Sequence, residues 1–309
     1  MKAASKVTTD LLKAMAVPAE VIAAYRAAVR IYGERPWVTG IAVGRKTKKG
    51  RLQQSPRWVV AIHVTRKLPK SRVVKGNLIP DEIKGVPTDV LLGNYRRTAK
   101  TVPVTTATLH PGVAIATEKG SGGTLGGIVR GTDGSRYLLT AGHLLQDGGG
   151  KKGTSVVHPP STPATPGDRA ATVSAIHKTR DAGAAMLEAG VAADNNALSG
   201  TRITKPVLPQ VDMMVEMFGA GSAGVKRGKV TQVGSTSQNG TFPVVFIRGT
   251  GTGAAARKGD SGTIWYDQAS AAAIGLHVEV SGGGDAVATV AVNVLADLGK
   301  MLKTTLSWT

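Results

Sequence analysis

Apolar residues first recur at helical spacing. Leu11, Leu12, Met15, Val21, Ile22, Tyr25, Val29 and Ile31 mark one face of a helix over 8–33. Pro18 has no amide hydrogen, so it predicts a break or the start of a second helix inside that span. The period then shortens. "VTGIAVG" (38–44) and "RWVVAIHVTRK" (57–67) read as strands, and the end of "IPDEIKGVPTDVLLG" (79–93) is again strand-like. Together they predict a small α+β unit with strands within 38–93. The basic stretch "NYRRTAKTVPVTTATLH" (94–110) joins that unit to the rest of the chain.

From about residue 111 short β-type runs recur between glycine clusters: "GVAIAT", "TLGGIV", "RYLLTA", "ATVSAIH", "MMVEMF", "KVTQVG", "FPVVFIRG", "AAAIGLHVEV" and "AVATVAV". Such spacing predicts an all-β barrel or sandwich of roughly 200 residues. Val294, Leu295, Leu298, Met301 and Leu302 return to helical spacing, which places a helix near the end. The chain thus divides into an accessory α+β domain over 1–105 and a β domain over 106–309. No repeat of solenoid period interrupts them.

Composition agrees with this division. Forty glycines and only 4% aromatic residues suit short strands and tight turns better than a helical bundle. A hydrophobic content of 41% excludes wholesale disorder. The absence of cysteine excludes a disulfide, a thiolate nucleophile and a cysteine-ligated zinc site. No run approaches the ~20 apolar residues that span a bilayer, and the N-terminal stretch lacks a signal-peptide core. The expectation is a soluble, cytoplasmic protein that engages no membrane; its oligomeric state is not legible.

Charge separates the halves. The net charge is +19, yet 21 of the 39 Lys and Arg and only 6 of the 20 Asp and Glu fall in 1–109. Such a basic region either solvates a face or attracts nucleic acid or another polyanion, and no recognised nucleic-acid motif accompanies it.

The candidate chemistry begins at "ARKGDSGTIWY" (256–266), where glycines flank Ser261 and its aspartate neighbour. Glycines there imply unusual backbone angles or the close approach of another chain segment. A serine hydroxyl becomes a useful nucleophile only when a base takes its proton and a third group orients that base. Of six histidines, His143 alone ends an apolar strand in a small-residue turn, "RYLLTAGHLLQ", which leaves its ring open to a cleft. For the orienting acid, "KTRDAGAAMLEAG" sets Asp181 before small and apolar residues, where it can be buried against an imidazole. Asp168 in "PGDRAATV" is the rival, in a Pro-Gly context typical of an exposed turn.

"LTAGH", "DAGAAML" and "GDSG" occur in histidine–aspartate–serine order, and in this the chain resembles the chymotrypsin/trypsin-like serine protease family over about 111–305. "SGGTLGGIV", "GAGSAGVKRGKV" and "IGLHVEVSGGG" fall where that family would have them. The stretch "GIAVGRK…AIHVTRKLP…IPDEIKGVPTDVLLG" is similar to a leader domain of intracellular bacterial trypsin-like proteins.

The resemblance implies a mostly β fold: a double six-stranded β-barrel of trypsin-like type with a C-terminal helix, preceded by the small α+β domain. It implies a serine endopeptidase acting on a protein or peptide substrate through His143, Asp181 and Ser261 and an acyl-enzyme intermediate. The oxyanion hole would be the N–H groups of Gly259 and Ser261, donors worth roughly 2.7–4 kcal/mol each in the transition state. No metal and no organic cofactor is implied. The specificity pocket would involve Ala255, six residues before the serine, with His277 and Glu279 on the wall strand.

Several residues depart from the family pattern. Thr263 follows "GDSG", "TAGH" replaces "TAAH", and Val278–Glu279–Val280 stands where digestive relatives carry Ser-Trp-Gly. Asp260 pairs in those relatives with a freed N-terminus; the long leader here predicts another partner or a processing step. Two other readings remain at this point: a catalytically weak barrel kept as a binding scaffold, and a nucleic-acid-associated protein acting through its basic N-terminal region.

Overall fold

The computed structural model describes residues 2–48, 51–96, 106–120, 122–162, 167–236, 240–251 and 253–309. The first apolar face forms two helices rather than one, α1 (Lys2–Ala14) and α2 (Ala19–Tyr32). Between them Ala16 takes a left-handed φ of 55°, and Pro18 caps α2, because its missing N–H costs nothing at a helix start. Val21, Ile22, Tyr25, Ala28, Val29 and Tyr32 line the buried face of α2.

Strands follow, several of them packed on that face. They are β1 (Val38–Gly44), β2 (Thr47–Lys48), β3 (Arg51–Leu52), β4 (Val59–Val64), β5 (Glu82–Ile83), β6 (Val86–Leu92) and β7 (Tyr95–Arg96). β1 and β4 are buried along their whole length, which is why, His63 apart, their sequences are apolar or small instead of alternating. Ile62 is wholly buried on β4, and truncating such a side chain costs about 2–5 kcal/mol.

The first barrel uses β8 (Ala114–Thr117), β9 (Gly123–Thr124), β10 (Gly127–Gly131), β11 (Arg136–Ala141), β12 (Ser155–His158), β13 (Asp168–His177) and β14 (Ala182–Leu187). A short helix, α3 (Gly142–Gln146), follows β11. The segment 123–131 pairs with β8 at its start and with β11 at its end, so the sheet curls round on itself. Wholly buried Val113, Leu125, Ile128, Leu138 and Val156 fill its interior.

The second barrel is formed by β15 (Met214–Gly219), β16 (Gly224–Thr236), β17 (Val244–Gly249), β18 (Ile264–Asp267), β19 (Ala273–Ser281) and β20 (Ala286–Val290). These six close completely, in the order β15-β18-β19-β20-β17-β16, with β16 returning to β15. α4 (Ala291–Leu302) is the expected C-terminal helix, and β21 (Leu306–Trp308) returns to pair with β10 of the first barrel. The mostly β double barrel with a C-terminal helix is thus observed.

β1 pairs antiparallel with β16, from Gly40↔Thr236 to Gly44↔Gln232, so the N-terminal strands extend the second barrel's sheet. One core cluster accordingly joins Leu12, Tyr25, Ile41 and Ile62 to Val230, Val245 and Trp265. The division expected at 105/106 falls at the edge of residues 97–105, outside the described residues. No helix is long and apolar enough to cross a membrane among the described residues.

Candidate active site

The register of the first barrel brings two of the candidates together. Ala141 at the end of β11 lies opposite Ala182 at the start of β14, so the residues just beyond each strand end become neighbours. Gly142 donates its N–H to the Asp181 carbonyl at 2.9 Å, and a Cβ on Gly142 would stand 2.9 Å from the Ala182 nitrogen. The small residues before His143 therefore permit this close crossing. Asp181 Oδ2 lies 2.8 Å from His143 Nδ1, and Oδ1 accepts the His143 backbone N–H at 2.8 Å. The Asp181 side chain is buried, at 3% exposure, and that of His143 is mostly enclosed, at 9%.

The turn that carries Asp181 is held from behind. Asp181 takes a left-handed φ of 45°, a conformation aspartate tolerates better than most residues. Arg180 beside it reaches Asp297 of α4 through Nε at 2.8 Å and Nη2 at 2.6 Å, and also the Phe242 carbonyl. Asp168 sits exposed at the far end of β13 from His177, the residue paired with Ala182.

Ser261 is fully buried in a turn between Gly259, with φ of 94°, and Gly262, with φ of 93°. Thr124 of β9 grips this turn twice: its N–H donates to the Ser261 carbonyl at 2.8 Å and its hydroxyl to the Gly259 carbonyl at 2.7 Å. A Cβ on Gly262 would come within 2.1 Å of Thr140 Oγ1 and 2.3 Å of the Thr124 carbonyl. The serine turn thus packs on the end of β11, the strand that leads into His143. Here both a positive φ and a close approach demand glycine. His143 Nε2 is buried and accepts or donates no hydrogen bond among the described residues, so the serine–histidine bond is not made.

Asp260 has a partner that sequence reading did not name. Its Oδ1 accepts the Ser222 N–H at 2.7 Å, and its Oδ2 accepts the Ser222 hydroxyl at 2.5 Å and the Arg257 N–H at 2.7 Å. Burial raises its pKa, and these three donors oppose the rise. The small residues of "GAGSAG" permit that close approach, but nothing in the string marks Ser222 as the partner.

The residues expected to form a specificity pocket are all buried. Ala255 is 2% exposed and borders a hollow of about 390 Å³, while His277 and Glu279 are wholly enclosed on β19. Neither ring nitrogen of His277 makes a hydrogen bond, and the Val287 backbone falls short of that geometry. Burial, and then the neighbouring His143, lower the His277 pKa to about 3. Beside the serine turn a groove of about 450 Å³ is lined by Arg96, Arg257, Lys258 and Val280.

The other histidines are engaged elsewhere. His63 Nε2 meets Gln232 Oε1 at 2.9 Å, His110 meets Asp194 at 2.7 Å, His158 Nδ1 meets the Ala114 carbonyl at 2.6 Å, and His177 accepts from the Arg180 N–H. Among the described residues no group of three or more His, Asp or Glu stands close enough to hold a metal ion.

No family model matches the chain, and no curated protein does. Among solved structures it is similar to Thermobifida fusca protease A at 18% identity and a TM-score of 0.48, over 67% of this chain and 100% of the other. It is similar to Cellulomonas bogoriensis chymotrypsin at 20% and 0.46, over 67% and 99%. A Nocardiopsis protease gives 18% and 0.49, over 65% and 99%. Likeness at this level says nothing of the chemistry.

Proposed function

We propose that the chain is a serine endopeptidase whose nucleophile is Ser261. The observation that carries the reading is the two-point grip of Asp181 on His143, ring and backbone together. A carboxylate on Nδ1 fixes the tautomer with its lone pair at Nε2, the form needed for a general base. That nitrogen makes no other bond, and the serine turn lies against the adjoining strand end. Catalytic hydrogen bonds are often long before substrate binds, which fits the open serine–histidine contact.

In this mechanism the Ser261 oxygen attacks the scissile carbonyl carbon as His143 Nε2 takes its proton. The carbonyl oxygen becomes an oxyanion beside the N–H groups of Gly259 and Ser261. Collapse expels the amine, which takes the proton from His143 and leaves an acyl-enzyme that water then hydrolyses by the same steps. No metal or organic cofactor takes part. A fluorophosphonate probe tests the reading: wild type labels covalently and Ser261→Ala does not. Equal labelling, or none in either, refutes it.

The second reading is a barrel kept as a binding scaffold. Complete burial of Ser261 favours it, since a nucleophile must meet its substrate. The scaffold predicts peptide binding without labelling.

A further inference from the structure

β19 is an edge shared by two different partners. Along one side β20 pairs with it from Gly275 to Val280. On the other side β18 pairs from Ala273 to Leu276, and the ladder continues through the Gly262 N–H to the His277 carbonyl and the His277 N–H to Thr263. Further along this second side, β7 takes over: Arg96 faces Val280 and Tyr95 faces Ser281. Val278 lies between the two partners, directly beyond the serine turn.

The polarity of β7 matters most. Passing from Tyr95 to Arg96 moves along β19 from Ser281 to Val280, towards His277 and Ser261. A peptide adding to this edge as an antiparallel strand, with a carbonyl reaching Ser261, must run the same way. From Val280 to His277 is three strand residues, about 10 Å at ~3.3 Å each, within reach of a four-residue segment. We propose that β7 is an internal occupant of a peptide-binding edge, standing where the N-terminal part of an extended peptide would pair, so that the peptide must displace it.

The occupant is seated at one end only. Tyr95 is buried, its hydroxyl is 2.6 Å from His63 Nδ1, and the His63 ring stacks on Phe246 at 4.6 Å. Gly93 keeps that seat open, since a Cβ there would stand 3.0 Å from the Tyr95 hydroxyl. Arg96, by contrast, is exposed, so the pairing at Val280 is the part that yields. The displacing peptide is acidic: the adjoining groove of about 450 Å³ is also lined by Arg257 and Lys258, which stay in place when β7 leaves, and by no acidic residue.

The chain has no cysteine, so Arg96→Cys with Val280→Cys supplies its only two thiols. Facing residues of an antiparallel pair stand about 4.5–5.5 Å apart at Cα, within the span of a disulfide. The proposal rests on the peptidase reading only for its catalytic meaning, so the test is made on Ser261→Ala protein by anisotropy of a fluorescein-labelled acidic hexapeptide. The oxidised form should bind at least tenfold more weakly than the same protein reduced. Equal binding, no binding in either form, or failure of the thiols to join each overturns the proposal. With Ser261 restored, loss of fluorophosphonate labelling alongside an intact lock effect would refute the peptidase and keep the occupied edge. If the double variant misfolds, Tyr95→Phe keeps the ring but drops the bond to His63. It should tighten peptide binding about threefold, and unchanged or weaker binding overturns the proposal.

Discussion

Asp181 holds His143 at two points, Oδ2 at 2.8 Å from the ring Nδ1 and Oδ1 at 2.8 Å from the backbone N–H. One carboxylate therefore sets both the tautomer of the imidazole and the position of the main chain that bears it. Arg180 braces the same turn against α4 through Asp297. An imidazole so fixed has lost its rotational freedom before any substrate arrives, which is the condition for preorganised base catalysis.

Asp181→Asn keeps the shape of the site but presents an amide in place of an acceptor pair, and so favours the wrong tautomer. Turnover on a peptide or ester should fall by about 10,000-fold while circular dichroism is unchanged. Asp168→Asn, on an exposed strand end, should leave turnover within twofold. The reverse pattern assigns the acid to Asp168.

Ser261→Ala and His143→Ala should each nearly abolish hydrolysis with the fold intact. Groups that act as one unit do not add, so the double variant should be little worse than either single. Losses that multiply would mean the two side chains act independently.

Ser222→Ala removes the hydroxyl that lies 2.5 Å from Asp260 Oδ2. A buried carboxylate deprived of a donor costs about 1–3 kcal/mol, and the turn bearing Ser261 loses a fixed neighbour. The urea midpoint should drop, and kcat should fall more than KM rises, because the serine turn is mis-set rather than the groove altered. Ser222→Thr, which retains the hydroxyl, should recover part of both. A silent Ser222→Ala would mean the backbone donors of Ser222 and Arg257 suffice.

Two buried histidines make stability depend on pH. Burial lowers His63 to about 4, against the favourable Gln232 bond and Asp285, and lowers His277 to about 3. Unfolded imidazoles titrate near 6.5, so below that pH the unfolded chain binds protons that the folded chain refuses. Their contribution is therefore complete above about pH 6.5 and declines as the pH falls towards 4 and then 3. The slope is up to about 1.4 kcal/mol per pH unit for each group. Urea midpoints measured from pH 7.5 to 4.5 should decline, and His277→Leu should reduce the slope. A midpoint that rises on acidification contradicts this account.

Much of the fold was legible because its patterns are local. β1 matches "VTGIAVG" residue for residue, and the recurring glycine-bounded runs marked the barrels. Pairings across long sequence separations were not legible. The union of β1 with β16 joins residues almost 200 positions apart, and the small, apolar pattern of β1 is open to several partners. At the site, Asp181 could be singled out because a carboxylate before small residues is bound for burial. Ser222 could not, since a serine in a glycine-rich loop carries no mark of the carboxylate it will meet. The glycines around Ser261 signalled unusual backbone angles or a close approach, but that Thr140 is what Gly262 packs against is a property of two turns meeting and does not show in the sequence.

The residues near Ser261 also bear on the side chain accepted at the cleaved position. A preference for Lys or Arg would need a carboxylate at the floor of the proposed pocket, and Ala255, the residue expected there, is uncharged and 2% exposed. Arg257 and Lys258, just before the serine turn, instead place positive charge nearby. His277 adds a neutral donor: with its pKa near 3 it carries no charge at neutral pH, and both ring nitrogens lack partners. A donor that meets a carboxylate or amide only when the right substrate is bound discriminates by the cost of leaving it unmet, about 1–3 kcal/mol, or roughly 5- to 150-fold. Cleavage of a peptide library should therefore favour Glu and Gln. His277→Ala should erase that preference while cleavage after small residues survives. Arg257→Glu should lower cleavage after Glu more than after Gln, because only the carboxylate feels the reversed charge at long range. Cleavage mainly after Lys or Arg would overturn this assignment and mean that Glu279 turns into the pocket.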